Sequence, residues 1–374
     1  MSTSVGITGA SGLLGWHLRV RMRTCGRFNV IAAGRDDFAD LGRLRRFVSE
    51  CGTVVHLAGM NRGDESEIER VNVDLARRLV EALDETGARP QVVFASSTHV
   101  DRDTAYGRSK RAAAALFEKW AGKSGGTFTN LVLPHVFGEG GRPFYNSVVS
   151  TFCYQLAKGD EPRIDLDGEL NLMHAQDVAQ LCLDAIDEPG MGERRPDGIP
   201  IRVSELLELL KTQSCTYSTG VIPAFRDPLE LRLFNTFRSY LYPDRFPWPV
   251  TVHSDRRGSL FEGVKTLHGG QAFVSTTKPG ITRGEHFHMQ KVERFLVLSG
   301  TAVIRLRKLL GVDVLEFPVT GNQPAFVDIP TMYAHNVTNV GTDDLVTLFW
   351  SHEIFDPDAP DTYAEAVRLE ESHE

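Results

Sequence analysis

Cysteine is scarce and oddly counted: Cys25, Cys51, Cys153, Cys182 and Cys215 form no C-x-x-C pair, and none falls in the C-terminal third. That pattern argues against a disulfide framework and against a thiolate zinc site, and it fits a reducing cytoplasm. Long apolar runs are also missing, since no stretch approaches the ~18 to 20 residues that cross a bilayer. The first apolar segment, Val5 to Thr8, is too short for a signal-peptide core and reads as a strand feeding a glycine turn. Positive charge is in deficit, with a formal net charge of -8. A nucleic-acid or anionic-membrane surface is therefore not expected, although one local basic or N–H-rich pocket can still hold an anionic nucleotide. Low-complexity tracts are absent too. The expectation is a soluble cytoplasmic protein that folds by burying a core.

At 374 residues the chain is long enough for two or three domains. Up to about residue 190 short apolar runs alternate with helix-period segments. "VGITG", "FNVIAAG", "TVVHLAG", "QVVFASS" and "FTNLVLP" read as strands buried on both faces, with helices such as "DLARRLVEALDETG" between them. That rhythm predicts βαβ units and a Rossmann-like, doubly wound parallel sheet. Residues 200 to 245 keep a helical pattern ("VSELLELLK", "LELRLFNTFRSYL"), and then "YPDRFPWPV" places three prolines between Pro243 and Pro249. The composition changes there to strand-period runs and turns, which predicts a small all-β barrel or jelly roll. The expected domains are 1–245 and 246–374.

The first glycine cluster, "TGASGLLG", places Gly9, Gly12 and Gly15 directly after a strand and before a helix that begins near Leu13. Such a turn lets the backbone approach a pyrophosphate, which the helix N-terminus attracts. A glycine turn that only packs a helix on a sheet would look similar. At the end of the second strand an NAD binder would place an acidic residue for the ribose hydroxyls; here Gly34 is followed by Arg35, which suits a 2′-phosphate and favours NADP. Asp36 and Asp37 leave a solvated surface arginine open as the alternative.

Further on, "AYGRSK" sets Tyr106 and Lys110 four apart on one helical face, with Ser97 just upstream at a strand end. A ketone reductase needs a proton donor beside the carbonyl. A tyrosine serves best where an ammonium favours its phenolate, and a serine can hydrogen-bond the carbonyl oxygen. Taken in order, "TGASGLLG", "VVHLAG", "SS" and "YGRSK" resemble the extended short-chain dehydrogenase/reductase family over about residues 3 to 245. The resemblance implies a nicotinamide cofactor held by Gly9, Ser11, Gly12, Leu13, Gly15, Arg35, Leu57, Ala58, Gly59, Tyr106 and Lys110. It also implies a nucleotide-sugar substrate, for which Arg142, Tyr145 and Asn146 in "GRPFYNS" are candidate contacts and Arg142 could pair with a diphosphate. The short spacing from Ser97 to Tyr106 departs from many relatives. His135 and Phe144 stand where asparagines are expected.

Near the far end lies "GITRGEHFHMQKVERFLVLSG". His286 and His288 alternate on a strand, Glu293 opens the next strand, and "PTMYAHNVTN" supplies His335 as a fourth ligand. Three imidazoles and one carboxylate suit a divalent first-row metal with open positions left for water or substrate. Gly280, His286, His288, Glu293 and Gly300 match the first cupin motif in spacing. Pro330, His335 and Asn339 match the second, with Met332 where the usual pattern has glycine. A cupin that keeps its histidines for hydrogen bonding or acid–base work, without metal, is the alternative. The remaining single histidines, His56, His99, His135, His174 and His253, read as core or surface residues.

Nearly end to end, through "GITGASGLLG", "HLAGMNR", "YGRSK", "LPHVFGEGGRPFYNSVVSTFCYQLA", "GITRGEHFH" and "LFWSHEIFDPDAPDTY", the chain is similar to bifunctional capsular-polysaccharide enzymes of the CapF/WbjC type. These act in UDP-N-acetyl-L-fucosamine biosynthesis. The resemblance implies that a zinc cupin epimerises C3 of a UDP-2-acetamido-2,6-dideoxy-4-hexulose, that the reductase half reduces C4 with NADPH, and that the enzyme is a homodimer. The chemistry is coherent, because a 4-ketone acidifies the C3 hydrogen and reduction then fixes the inverted centre. Lys291, Glu285, Tyr333 and His352 are candidates for the group that takes the C3 proton. Three other readings stay open: a monofunctional reductase with a structural or dimerising cupin, a non-catalytic nucleotide sensor, and an iron dioxygenase in the barrel.

Overall fold

The computed structural model describes residues 3–369. It divides into two compact units, one built on residues up to 151 together with 164–206, the other on 152–163 together with 207 onward. The chain thus passes from one unit to the other at three places.

The first unit runs β1 (Thr3–Thr8), α1 (Leu13–Cys25), β2 (Phe28–Ala33), α2 (Arg35–Ala39), α3 (Leu41–Glu50), β3 (Thr53–His56) and α4 (Glu65–Thr86). It continues through β4 (Gln91–Ser97), α5 (Ala105–Ser124), β5 (Phe128–Leu133) and β6 (His135–Phe137), then, after α6 (Val148–Lys158), most of which belongs to the second unit, through β7 (Glu169–His174), α7 (Ala175–Asp187), β8 (Gly192–Arg194) and β9 (Ile199–Arg202). Six of these strands form an all-parallel sheet in the order β2-β1-β3-β4-β5-β8. The apolar strand runs explain why both faces are covered. Val54, Val92 and Phe94 point to one side, where they meet Leu44 and Phe47 of α3, Leu79 of α4 and Phe117 of α5. Their neighbours Val55, Val93 and Ala95 point to the other side, against Leu18 and Met22 of α1 and Val178 and Leu183 of α7. A strand with apolar residues at every position can only be satisfied between two helical layers, and each such side chain contributes about 1.5 to 3 kcal/mol by burial.

Strands β1 and β3 lie side by side, yet α1 leaves to one face and α4 to the other. Diverging connections open a crevice at the carboxyl ends of the strands, where doubly wound sheets bind ligands. A separate three-stranded sheet, β6-β7-β9, carries the chain away from the end of β5.

The second unit holds two five-stranded antiparallel sheets. One orders strands 248–249, 325–329, 293–299, 345–351 and 271–277; the other orders 314–320, 301–308, 333–339, 282–287 and 363–364. Leu296, Val327, Ile329 and Leu345 from the first meet Ile304, Leu306 and Val337 from the second in one buried core. This is the C-terminal all-β region that the strand-period texture predicts. Composition alone put the break near residue 245, whereas the helices just before it belong with the barrel. Tyr217 donates to the Asp328 carboxylate at 2.5 Å, and Arg238 donates to the Ile329 carbonyl at 2.6 Å. The proline-rich stretch is itself part of that unit: Phe246 is buried in the barrel core, and Trp248–Pro249 pairs with Phe326–Ala325.

Candidate active site and metal centre

The carboxyl ends of β1, β3, β4 and β5 frame a cavity of about 940 Å³. Gly9, Ser11, Gly12, Leu13 and Gly15 line one end of it, with Leu57 and Gly59 from the turn after β3. Gly9 has φ +69, and a side chain there would come within 2.8 Å of the Ala58 amide nitrogen. At Gly15 a Cβ would lie 2.3 Å from the Gly9 carbonyl oxygen. Only glycine lets the turn and helix approach this closely. Helix α1 begins at N-cap Gly12 with no side-chain cap, so the amides of its first turn face the cavity uncapped. This cradle fits a dinucleotide pyrophosphate, because unpaired helix N-terminal amides attract phosphate. Arg35 and Ala58 do not line the cavity. Arg35 stands exposed at the start of α2, while Asp37 accepts a hydrogen bond from the Gly34 amide at 2.8 Å.

Ser97, Tyr106 and Lys110 meet in the same cavity. Helix α5, capped by Thr104 on the Gly107 amide at 3.1 Å, sets the last two on one face. The expected lowering of the tyrosine pKa is not what the fold produces. Burial pushes Tyr106 up to about 12, and it pushes Lys110 down to about 8. The Lys110 ammonium donates to the Ala95 carbonyl at 2.7 Å and lies 5.6 Å from the Tyr106 ring centre. Tyr106 therefore keeps its proton at neutral pH, which is the form a ketone reduction consumes. Lys110 is charged below about 8 and neutral above it. The expected result is that kcat/KM for ketone reduction falls as pH rises through about 8, and a pH–rate profile that stays flat from 7 to 9.5 contradicts this.

Arg142, Tyr145 and Asn146 also line the cavity, on the loop after β6. The Arg142 guanidinium carbon lies 5.3 Å from the Tyr145 ring centre. Several residues that hold this site together went unassigned in the sequence. Arg62 donates to the Phe144 and Tyr145 carbonyls and so fixes the loop. Asn72 holds Met60 by both its amide and its carbonyl, at 2.6 and 2.7 Å, and donates to Ser109 at 3.0 Å. Glu139 is buried at the root of the loop, with its carboxylate 3.0 Å from His174 Nε2. Burial would raise Glu139, but His174 and His17 outweigh it and hold the carboxyl near about 2. His99 and His135 line the cavity as well, and His135 Nε2 is buried without a hydrogen-bond partner among the described residues. Their placement directly after Ser97 and directly after β5 was the available signal. His56, by contrast, is a core residue: Thr8 Oγ1 lies 2.8 Å from its Nδ1, and burial lowers it to about 3. Phe144, where asparagine was expected, has φ +54, a conformation that asparagine adopts more readily than phenylalanine.

In the second unit, His286, His288, Glu293 and His335 bring one ligand atom each to within 4.8 Å of one another. His286 and His335 are register partners on neighbouring strands, Glu293 opens its strand, and His288 lies one residue past the end of its own. His288 Nε2 is 3.0 Å and His335 Nε2 3.4 Å from Glu293 Oε2. Burial raises Glu293, yet the two imidazoles outweigh this and hold its carboxyl well below the usual range. His335 is fully buried; its Nδ1 lies 3.2 Å from the Tyr333 carbonyl, and its Nε2 has no hydrogen-bond partner among the described residues. A buried lone pair aimed at a carboxylate and two further imidazoles fits a divalent cation. Met332 stands with φ +59 where the motif has glycine, and its amide donates to the His288 carbonyl at 2.7 Å. Of the candidate proton acceptors, Glu285 is fully engaged, accepting from Asn336 at 2.5 Å and from the Val367 amide at 2.6 Å.

A glycine-turned switch-point crevice lined by Ser97, Tyr106 and Lys110 defines a nicotinamide-dependent enzyme of the short-chain dehydrogenase/reductase class. The family model of NAD dependent epimerases/dehydratases matches residues 5–196, and the chain belongs to that family. A second model, described as the polysaccharide biosynthesis C-terminal domain, matches residues 253–363. The chain is 32% identical over 366 residues to UDP-2-acetamido-2,6-beta-L-arabino-hexul-4-ose reductase from Pseudomonas aeruginosa, covering 96% of this chain and 98% of that one. Its structure is similar to that of the capsular polysaccharide assembling protein CapF from Staphylococcus aureus, with TM-score 0.63, 31% identity and coverage of 98% and 100%. Over 64% of its length the chain also shares the fold of UDP-glucose 4-epimerase from Thermotoga maritima, with TM-score 0.55 at 18% identity and coverage of 98% of that chain. No helix among the described residues is long and apolar enough to cross a membrane.

Proposed function

We propose that this chain reduces the C4 ketone of a UDP-2-acetamido-2,6-dideoxy-4-hexulose with NADPH, after its barrel has inverted C3 of the same sugar. The observation that carries the reading is the convergence of Ser97, Tyr106 and Lys110 with the glycine turn in one cavity, in a chain that aligns end to end with a 4-ketosugar reductase.

NADPH supplies the hydride, and Arg35 at the start of α2 is the residue that would favour its 2′-phosphate over NAD. Ser97 hydrogen-bonds the ketone oxygen and holds it toward Tyr106. Tyr106, protonated because it is buried, gives that oxygen its proton as hydride arrives at C4. Lys110 contributes positive charge that offsets the phenolate left behind. Arg142, Tyr145 and Asn146 receive the nucleotide sugar, with Arg142 placed for the diphosphate.

In the barrel, His286, His288, Glu293 and His335 would hold zinc, and three nitrogens with one carboxylate oxygen suit that ion. A divalent ion bound there supplies Lewis acidity toward a ketone oxygen. While C4 is a ketone, the C3 hydrogen is acidic and the centre can invert; once C4 carries a hydroxyl it cannot. The order of steps follows: inversion first, reduction second. We further propose that the protein works as a homodimer in the cytoplasm.

The two sites separate in D₂O. Without NADPH, the 4-ketosugar should gain deuterium at C3 with the wild type and with Tyr106→Phe, and not with His288→Ala. Exchange that persists in His288→Ala, or a product reduced at C4 with C3 never inverted, leaves only the reductase standing.

A further inference from the structure

The turn between two of the proposed metal ligands is set by a residue seventy positions away. Residues 289–292 join His288 to Glu293 outside any strand, so their amides have no ladder to donate to. Instead the amides of Met289, Gln290 and Lys291 all donate to the carboxylate of Asp361, each at 2.8 Å. Three consecutive N–H groups on one carboxylate make a compact, charge-assisted nest. The backbone carbonyl of Asp361 accepts from His288 Nδ1. That bond fixes the imidazole tautomer and leaves the Nε2 lone pair facing Glu293.

The segment beyond Asp361 is tied down in turn. Tyr363–Ala364 pairs with Phe287–His286, and the Glu365 amide donates to the Glu285 carbonyl at 2.9 Å. Arg307 donates to Glu365 Oε1 at 2.6 Å and to the Val367 carbonyl at 2.8 Å. Asp361 itself is 9% exposed and sits on a strap anchored to strand 282–287, which bears His286, and to Arg307 of strand 301–308.

We propose that Asp361 is a positioning residue for the metal centre, setting the turn from His288 to Glu293 and the tautomer of His288 without touching the ion. This rests on the metal reading above, but not on C3 inversion. An asparagine at 361 keeps one acceptor oxygen but replaces the other with an NH₂ donor, so the three amides of the turn lose one of the two oxygens they share. The turn must then shift, and His288 and Glu293 shift with it.

Zinc binding to the full-length protein, read by competition with a chromophoric chelator, tests the assignment. Asp361→Asn is expected to weaken zinc about 10- to 100-fold and to change the visible spectrum of the cobalt-substituted protein. NADPH-dependent reduction of a 4-ketosugar supplied with C3 already inverted should be unaffected. A purely structural Asp361 would instead lower the melting temperature of the zinc-free protein while zinc affinity stays within twofold of wild type and the cobalt spectrum is unchanged; that result overturns the proposal. If Asp361→Asn is insoluble, Asp361→Glu, which keeps the charge but displaces the carboxylate, is read on the same terms. Wild type that binds zinc no better than His288→Ala overturns the metal reading itself.

Discussion

Tyr106→Phe should lower kcat for NADPH-dependent reduction of the 4-ketosugar by about 10² to 10⁴, the usual size of a lost general acid. The change removes one oxygen from a side chain that burial keeps protonated up to about 12. NADPH affinity should change little, since on the proposed reading the glycine turn and the first turn of α1 would hold the pyrophosphate without the phenol. Stopped-flow oxidation of bound NADPH gives the rate, and fluorescence titration gives the affinity. A variant that reduces the ketone within tenfold of wild type would remove Tyr106 from the proton transfer.

The second large effect is on stability. Asp328→Ala should destabilise the second unit by about 3 to 5 kcal/mol, the range for a buried ion pair stripped of one partner. Arg294 is buried; it donates to Asp328 at 2.6 and 2.8 Å and to the Gly220 carbonyl at 3.0 Å, and its guanidinium lies over the Phe326 ring at 3.5 Å. Without the carboxylate that charge has no counter-ion, and Tyr217 loses its acceptor. Pairing Asp328→Leu with Arg294→Met should recover much of the loss, because two apolar groups leave no charge uncompensated. Urea denaturation followed by barrel fluorescence measures both. An Asp328→Ala midpoint equal to wild type would mean water reaches the pair.

The strands were legible because each is apolar at nearly every position and bounded by turn residues, so sheet burial is written locally. The glycine turn and the His286–Glu293 part of the metal quartet were legible for a related reason: their spacing is set by one turn, whereas His335 came from a second motif further along the chain. The residues that support them were not. Asp361, Arg238, Arg294 and Glu139 act on partners 34 or more positions away, and in the sequence each is one more charged residue. Burial also reversed one expectation. Tyr106 and Lys110 lie as close as their spacing promised, yet desolvation raises the phenol rather than lowering it. Arg35 was placed by position along the chain, and in the fold it stands exposed at the start of α2 and does not line the cavity. Met332 shows the converse, a motif glycine replaced by a residue that nonetheless takes up the left-handed backbone.

The threefold passage of the chain between its two compact units bears on how the two proposed sites can be taken apart. No single scission yields both pieces whole. A fragment ending at 206 retains 152–163 away from the body they pack with, and its complement lacks them. Dissection by gene splitting would thus confound loss of chemistry with loss of architecture, and single-residue knockouts in the intact polypeptide are the sound way to assign each step.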